Sequence, residues 1–92
     1  MNTIKMKVSN LESNQGNKIA NQFEITTNEG RFFKSYNSVI AFKPNVGAIQ
    51  LDANKWDYSK TTGKYRNIFL GEDKKETERK IKTGIYILTN LN

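Results

Sequence analysis

Ile4, Met6 and Val8 alternate with Lys5 and Lys7. A period of two gives a strand one apolar and one wet side, so the chain is expected to open with a short edge strand. Residues 9–18, SNLESNQGNK, are rich in Asn, Ser and Gly and predict a flexible loop within the domain. Alternation resumes over residues 22–27, with Phe23, Ile25 and Thr27 opposite Gln22, Glu24 and Thr26. Asn28-Glu29-Gly30 supplies turn chemistry before residues 31–36, RFFKSY, which predicts a β-hairpin. A second hairpin follows: residues 39–42 are apolar, Pro44-Asn45-Val46-Gly47 can turn, and residues 48–51 alternate back. Gly47 suits the positive φ that such a turn demands.

After Leu51 the period changes. Thr61, Tyr65 and Phe69 recur at i, i+4 and i+8 with Ile68 beside them, which predicts a helix with an aromatic stripe, capped by Ser59 and ended by Gly71. Lys60 and Lys64 stand one turn apart on that helix, on the side away from the stripe. Asp73 and Glu76 form a variant capping box, and Glu76 with Lys80 and Glu78 with Lys82 are i,i+4 pairs, so a second helix is expected over residues 74–82. Gly84 can terminate it, and residues 85–88, IYIL, read as a buried closing strand. The elements sum to an α+β fold: a single small domain over residues 1–92, with an antiparallel sheet of four to six short strands and two helices near the C-terminus.

Composition adds a thin core and a field. Hydrophobic residues make up 36% and charged residues 26% of the 92 positions, the balance of an ordinary folded domain of small size. Fifteen basic against nine acidic side chains leave a net charge of +6, which favours nucleic acid, an anionic surface or an acidic protein face. The surplus lies mid-chain: Arg31, Lys34, Lys43, Lys55, Lys60, Lys64 and Arg66 stand against Asp52 and Asp57. An AT-rich coding sequence, generous with Lys and Asn, would give the same basic pI near 9.7 without any ligand.

There is no Cys and no His, which removes disulfides, thiolate and imidazole metal sites, Cys nucleophiles and the usual proton shuttle near neutral pH. The first residues, MNTIKMKVSN, lack the apolar run of a signal peptide, and no long apolar run occurs elsewhere. A cytoplasmic protein without membrane attachment is expected.

The remaining catalytic arrangements are weak. Ser59 and adjacent Lys60 would point in different directions at a helix start, and Asp52 with Asp57 is a pairing that surface turns supply routinely. Thr61-Thr62-Gly63-Lys64 ends like a phosphate-binding loop, but the earlier glycine is missing and Tyr65 replaces the magnesium-binding hydroxyl. What survives is a helix start with Lys64 and Arg66 close by, able to hold one phosphate. No enzyme, no cofactor and no metal are expected.

The densest chemistry is residues 55–71, KWDYSKTTGKYRNIFLG, where Lys55, Lys60, Lys64 and Arg66 interleave with Trp56, Tyr58, Tyr65 and Phe69. Cations among aromatics suit a polyanion, with rings for bases and ammonium groups for phosphates. Trp56 serves first as the largest packing element of a thin core, while Tyr58 is open to either role. If Phe33 is core, then Phe32, Lys34 and Tyr36 form an exposed row on which a single strand could lie, though no RNP-type motif supports that comparison. The candidate contact residues are Lys55, Tyr58, Lys60, Lys64 and Arg66, helped by Arg31 and Lys34.

The block Trp56-Asp57-Tyr58-Ser59, Thr61-Thr62, Lys64-Tyr65-Arg66-Asn67, Phe69-Leu70-Gly71 resembles the signature of small uncharacterised proteins from bacteriophages and mobile elements of low-GC bacteria. Residues 35–38 and 81–86 share the likeness. The resemblance implies a phage-related setting in a bacterial host and carries no activity or functional residue with it. Two main readings result, with a structural virion or assembly component as a third. The first is a non-enzymatic binder of nucleic acid or a ribonucleoprotein; the alternative is an inhibitor of a host-defence effector, anti-CRISPR or similar, that binds a host protein.

Overall fold

The computed structural model describes residues 6–13 and 15–92; Ile4 and Lys5 of the predicted first strand lie outside the described residues. In chain order come β1 (Lys7–Glu12), β2 (Lys18–Thr27), β3 (Gly30–Ser35), β4 (Ser38–Pro44), β5 (Gln50–Asp52), α1 (Lys60–Leu70), α2 (Lys74–Lys82) and β6 (Ile87–Thr89). The fold is α+β, with a six-stranded sheet in sequence order and every neighbouring pair antiparallel except β5 and β6. A parallel pair needs a long crossover, and the two helices supply it.

Both helix starts form as the sequence predicts. The Ser59 hydroxyl accepts from the Thr62 N–H at 3.1 Å, and the Asp73 carboxylate from the Glu76 N–H at 2.9 Å. Gly71 ends α1 at φ 73°, the left-handed conformation that glycine adopts without a Cβ penalty. Gly47 takes φ 102° in the second hairpin.

The helices cover one side of the sheet. Phe33 stacks on Phe69 with ring centroids 5.7 Å apart, Ser35 shares a 2.9 Å hydrogen bond with Thr62, and the Lys43 ammonium reaches the Phe69 carbonyl. The last contact places a cation at the negative end of α1, whose own last turn holds none. Burial and the nearby Arg31 lower the Lys43 pKa. Phe33, Ile40, Ala41, Leu51, Phe69 and Tyr86 form the core, with Ile40 brought in by a one-residue register slip opposite Phe33 and Lys34.

The predictions are corrected in four elements. β1 extends to Glu12, so the polar stretch 9–18 shrinks to a short turn; Ser9 and Asn10 pair along an edge strand. Met6 and Val8 are exposed, because their side of the sheet is the one without helices. In β2 the polar residues Gln22 and Glu24 lie on the helix side and Phe23 and Ile25 on the open side, as their pairing with Ser35, Phe33, Lys34 and Phe32 shows. Gln22 is fully buried, and its side-chain amide has no hydrogen-bond partner. At the other edge β6 runs from Ile87, and Ile87 and Leu88 are exposed where a buried strand was predicted; Tyr86 alone of that run enters the core. The α1 stripe also shifts: Thr62, Arg66 and Phe69 are buried while Thr61 and Ile68 face out.

Glu72, in the link between the helices, holds this layer together. Its carboxylate accepts from the Lys80 ammonium at 2.7 Å, the Thr77 hydroxyl at 2.7 Å and the Tyr86 hydroxyl at 2.9 Å. Burial pulls its pKa up, but the three donors outweigh burial and leave it below the usual carboxylate value. A depressed carboxylate contributes stability that is present above the unfolded pKa, about 4.3, and lost as pH falls through the folded value. Glu72→Gln should therefore lose roughly 1–3 kcal/mol at neutral pH. It should also show a shallower acid limb than the wild type below about pH 4, read from urea midpoints across a pH series.

Candidate nucleic-acid interface

The path from β5 to α1 is set by Asp52, which is buried and wholly engaged with backbone. Its carboxylate accepts from the N–H groups of Asn54 at 3.2 Å and Leu91 at 2.8 Å, and its carbonyl accepts from the Trp56 N–H at 3.0 Å. The chain turns tightly and delivers residues 55–59 to the start of α1. Asp52 therefore shapes a turn, and among the described residues no cluster of three or more potential metal ligands forms.

Arg66 binds that turn to the helix. Only 1% of it is exposed. One terminal nitrogen donates to the Trp56 carbonyl at 2.8 Å and to Asp57 Oδ1 at 3.1 Å, the other donates to Asn67 Oδ1 at 2.9 Å, and the guanidinium lies 5.1 Å from the centre of the Trp56 ring. Its Nε is buried without a partner. The sequence places Arg66 among the phosphate contacts; the structure spends its donors inside the protein, which makes it the anchor of the site. Trp56 is half-buried against the core, with Arg66 over its ring.

Asp57 faces a second cation, the Lys74 ammonium of α2, at 2.7 Å. Burial raises the Asp57 pKa, yet the hydrogen bonds from Lys74 and Arg66 prevail and hold it below the usual range; the same contact raises that of Lys74. Both groups stay charged. Between these elements opens a cleft of about 430 Å³, walled by Ser59, Lys60, Lys64 and Lys74, with Gly63, Arg66 and Asp57 beneath.

Lys60 and Lys64 are exposed, and among the described residues neither meets a carboxylate; nor does Lys55. Lys55 lies over the ring of Tyr58 at 5.2 Å, and Tyr58 is 44% exposed. The first turn of α1 contains no acid. A helix start is the positive end of the macrodipole, so Lys60 in the first turn opposes it by about 0.3–1 kcal/mol, and an anion there would relieve that repulsion. α2 is built the other way, with Asp73 and Glu76 at its start and Arg79, Lys80 and Lys82 in its last turn.

The structure thus brings Lys60 and Lys64 to one cleft at the start of α1, while Lys55 and Tyr58 meet each other in the link just before it. Arg31 and Lys34 lie elsewhere. Arg31 is paired in register with Lys43, toward the Phe69 end of α1, and meets Glu24 at 3.5 Å; Lys34 is on the open side of the sheet between Phe23 and Val39. Sequence reasoning missed Lys74, which reaches the cleft from the second helix, and Gly63, buried at its base. Lys74 gave no local signal, since its partner Asp57 is distant in sequence. A glycine inside a helix costs about 1 kcal/mol against alanine, yet a Cβ at Gly63 would meet Arg66 and Asp57 only at ordinary contact distances of 3.6–3.7 Å, so space does not demand it.

The chain belongs to a family of unknown function, DUF8033, whose model matches residues 6–84. No curated protein and no solved structure is significantly similar to it. Among the described residues no helix is long and apolar enough to cross a membrane.

Replacing Arg66 by leucine keeps apolar bulk but strands the Trp56 carbonyl and the Asn67 amide oxygen. Arg66→Leu should cost roughly 2–4 kcal/mol in urea unfolding, whereas Lys60→Gln should change stability by less than about 0.5 kcal/mol. Equal effects of the two would contradict the anchoring role.

Proposed function

We propose that this member of a family of unknown function binds nucleic acid through phosphate contacts at the start of α1, without catalysis. The observation that carries the reading is the pair Lys60 and Lys64, which line one cleft at a helix start that has no acid in its first turn; neither they nor Lys55, in the link just before, is neutralised by a carboxylate among the described residues. Lys60 and Lys64 flank a phosphate, Lys55 takes the next along the backbone, and Tyr58 offers its exposed ring to an unpaired base. Contacts of this kind are sequence-tolerant. Binding without catalysis is supported by the chain's lack of His and Cys and by the engagement of Ser59 as a helix cap. The bacterial cytoplasm, in a phage or mobile-element setting, is proposed from the resemblance of residues 56–71 to proteins of such elements.

Three neutralised phosphates give a slope of log affinity against log salt of roughly −2 to −3. Fluorescence anisotropy with a labelled single-stranded oligonucleotide measures it. Lys60→Gln together with Lys64→Gln should remove about 1.4–1.8 from that slope with the fold intact. Tyr58→Ala should weaken single-strand binding by about 1–3 kcal/mol and leave duplex binding unchanged. A flat salt response, or wild-type binding by the double lysine variant, would overturn the reading.

A further inference from the structure

We infer that the open side of the sheet is a homodimer interface, two copies stacking sheet against sheet about a two-fold axis. Cross-strand pairing runs an unbroken row over all six strands: Val8, Ile25, Phe32, Phe42, Gln50 and Ile87. Directly paired residues share a face, and this one is opposite the Phe33 and Ser35 side chains that meet α1. Val8 is 56% and Ile87 48% exposed. An antiparallel sheet with one wet side alternates apolar and polar residues; here β3 and β4 are apolar on both sides at Phe32-Phe33 and Ala41-Phe42. β2 goes further and turns its polar Gln22 and Glu24 under the helices and its Ile25 into the open row.

Charge and ring geometry select the occupant. The row itself carries no charged residue, and its neighbour on that side, Lys34, is only partly exposed, so an acidic partner has little to meet there. Nucleic acid needs ring faces and cations, but Phe32 and Phe42 stack on each other at 4.2 Å and Phe42 is only 8% exposed. A second copy presents the same uncharged row and is self-complementary about a two-fold axis. Its size also fits. Strands about 4.8 Å apart and about 20 Å long give the face roughly 500 Å² in projection. Two such faces bury about 1,000 Å², enough for a specific but reversible dimer. Sheets stacked this way align within about 30° and leave the helices, with the lysine cleft, on the two outer surfaces.

Sedimentation velocity of the full chain over a wide concentration range tests this. The expected result is a reversible rise from the 10.6 kDa monomer to twice that mass. Each copy carries +6, so association should tighten as salt is raised, opposite in sign to oligonucleotide binding. Val8→Lys with Ile87→Lys, at positions already exposed in the single chain, should weaken association about tenfold or more. The charge-neutral pair Val8→Gln with Ile87→Gln should leave oligonucleotide affinity per chain unchanged. A monomer at every concentration overturns the inference, and the wild-type series decides this even if the double variant fails to fold. A dimer indifferent to the double variant also overturns it, as does a monomer whose oligonucleotide binding changes with Val8 and Ile87, which would put a nucleic-acid strand on the sheet instead.

Discussion

A charge withdrawn from water dictates the geometry of this protein. Burying a guanidinium costs several kcal/mol unless its donors are satisfied, and Arg66 satisfies its terminal nitrogens only if residues 56 and 57 fold back over α1. That demand sets the path of the link from β5, and the path positions Lys55 and Tyr58. Asp57, shared between Arg66 and Lys74, extends the constraint to the second helix. The walls of the cleft are therefore held by one anchored side chain and its acceptors.

The remaining charges sort by what lies within reach. Lys43 faces the carbonyl end of α1, Arg31 meets Glu24, Lys80 meets Glu72, and Arg79 meets Glu76. Arg31, Lys80 and Arg79 are neutralised by carboxylates, whereas Lys7, Lys18, Lys34, Lys75 and Lys82, like Lys55, Lys60 and Lys64, meet none among the described residues. What sets the start of α1 apart is that the peptide dipoles add to its positive charge.

Local chemistry was legible and long-range coverage was not. Ser59, Gly71 and Asp73 cap helices through bonds to residues three or four positions away, and the hairpin turn at residues 28–30 closes on its own strands; such features are written in neighbouring residues. Periodicity reports which side chains share a face, but the identity of the covered face depends on where the crossover packs. Hence Met6, Val8, Phe23 and Ile25 are grouped correctly and assigned to the wrong side. Arg66 illustrates the same limit. An arginine on a helix is exposed by default, and only the remote carbonyl of Trp56, the carboxylate of Asp57 and the Trp56 ring make its burial tolerable. Lys60 and Lys64 were readable because a one-turn spacing on a capped helix needs no tertiary information.

The parallel pairing of β5 with β6 has a kinetic corollary. The first five strands zip up through short loops, each ready once its predecessor is in place, while β6 joins only after both helices have formed and the chain has travelled back across the layer. The docking of β6 therefore waits on the crossover, and once in place that edge is tied down by the tail beyond it, where the Leu91 N–H reaches Asp52 and the Asn92 amide spans the Val39 N–H and carbonyl.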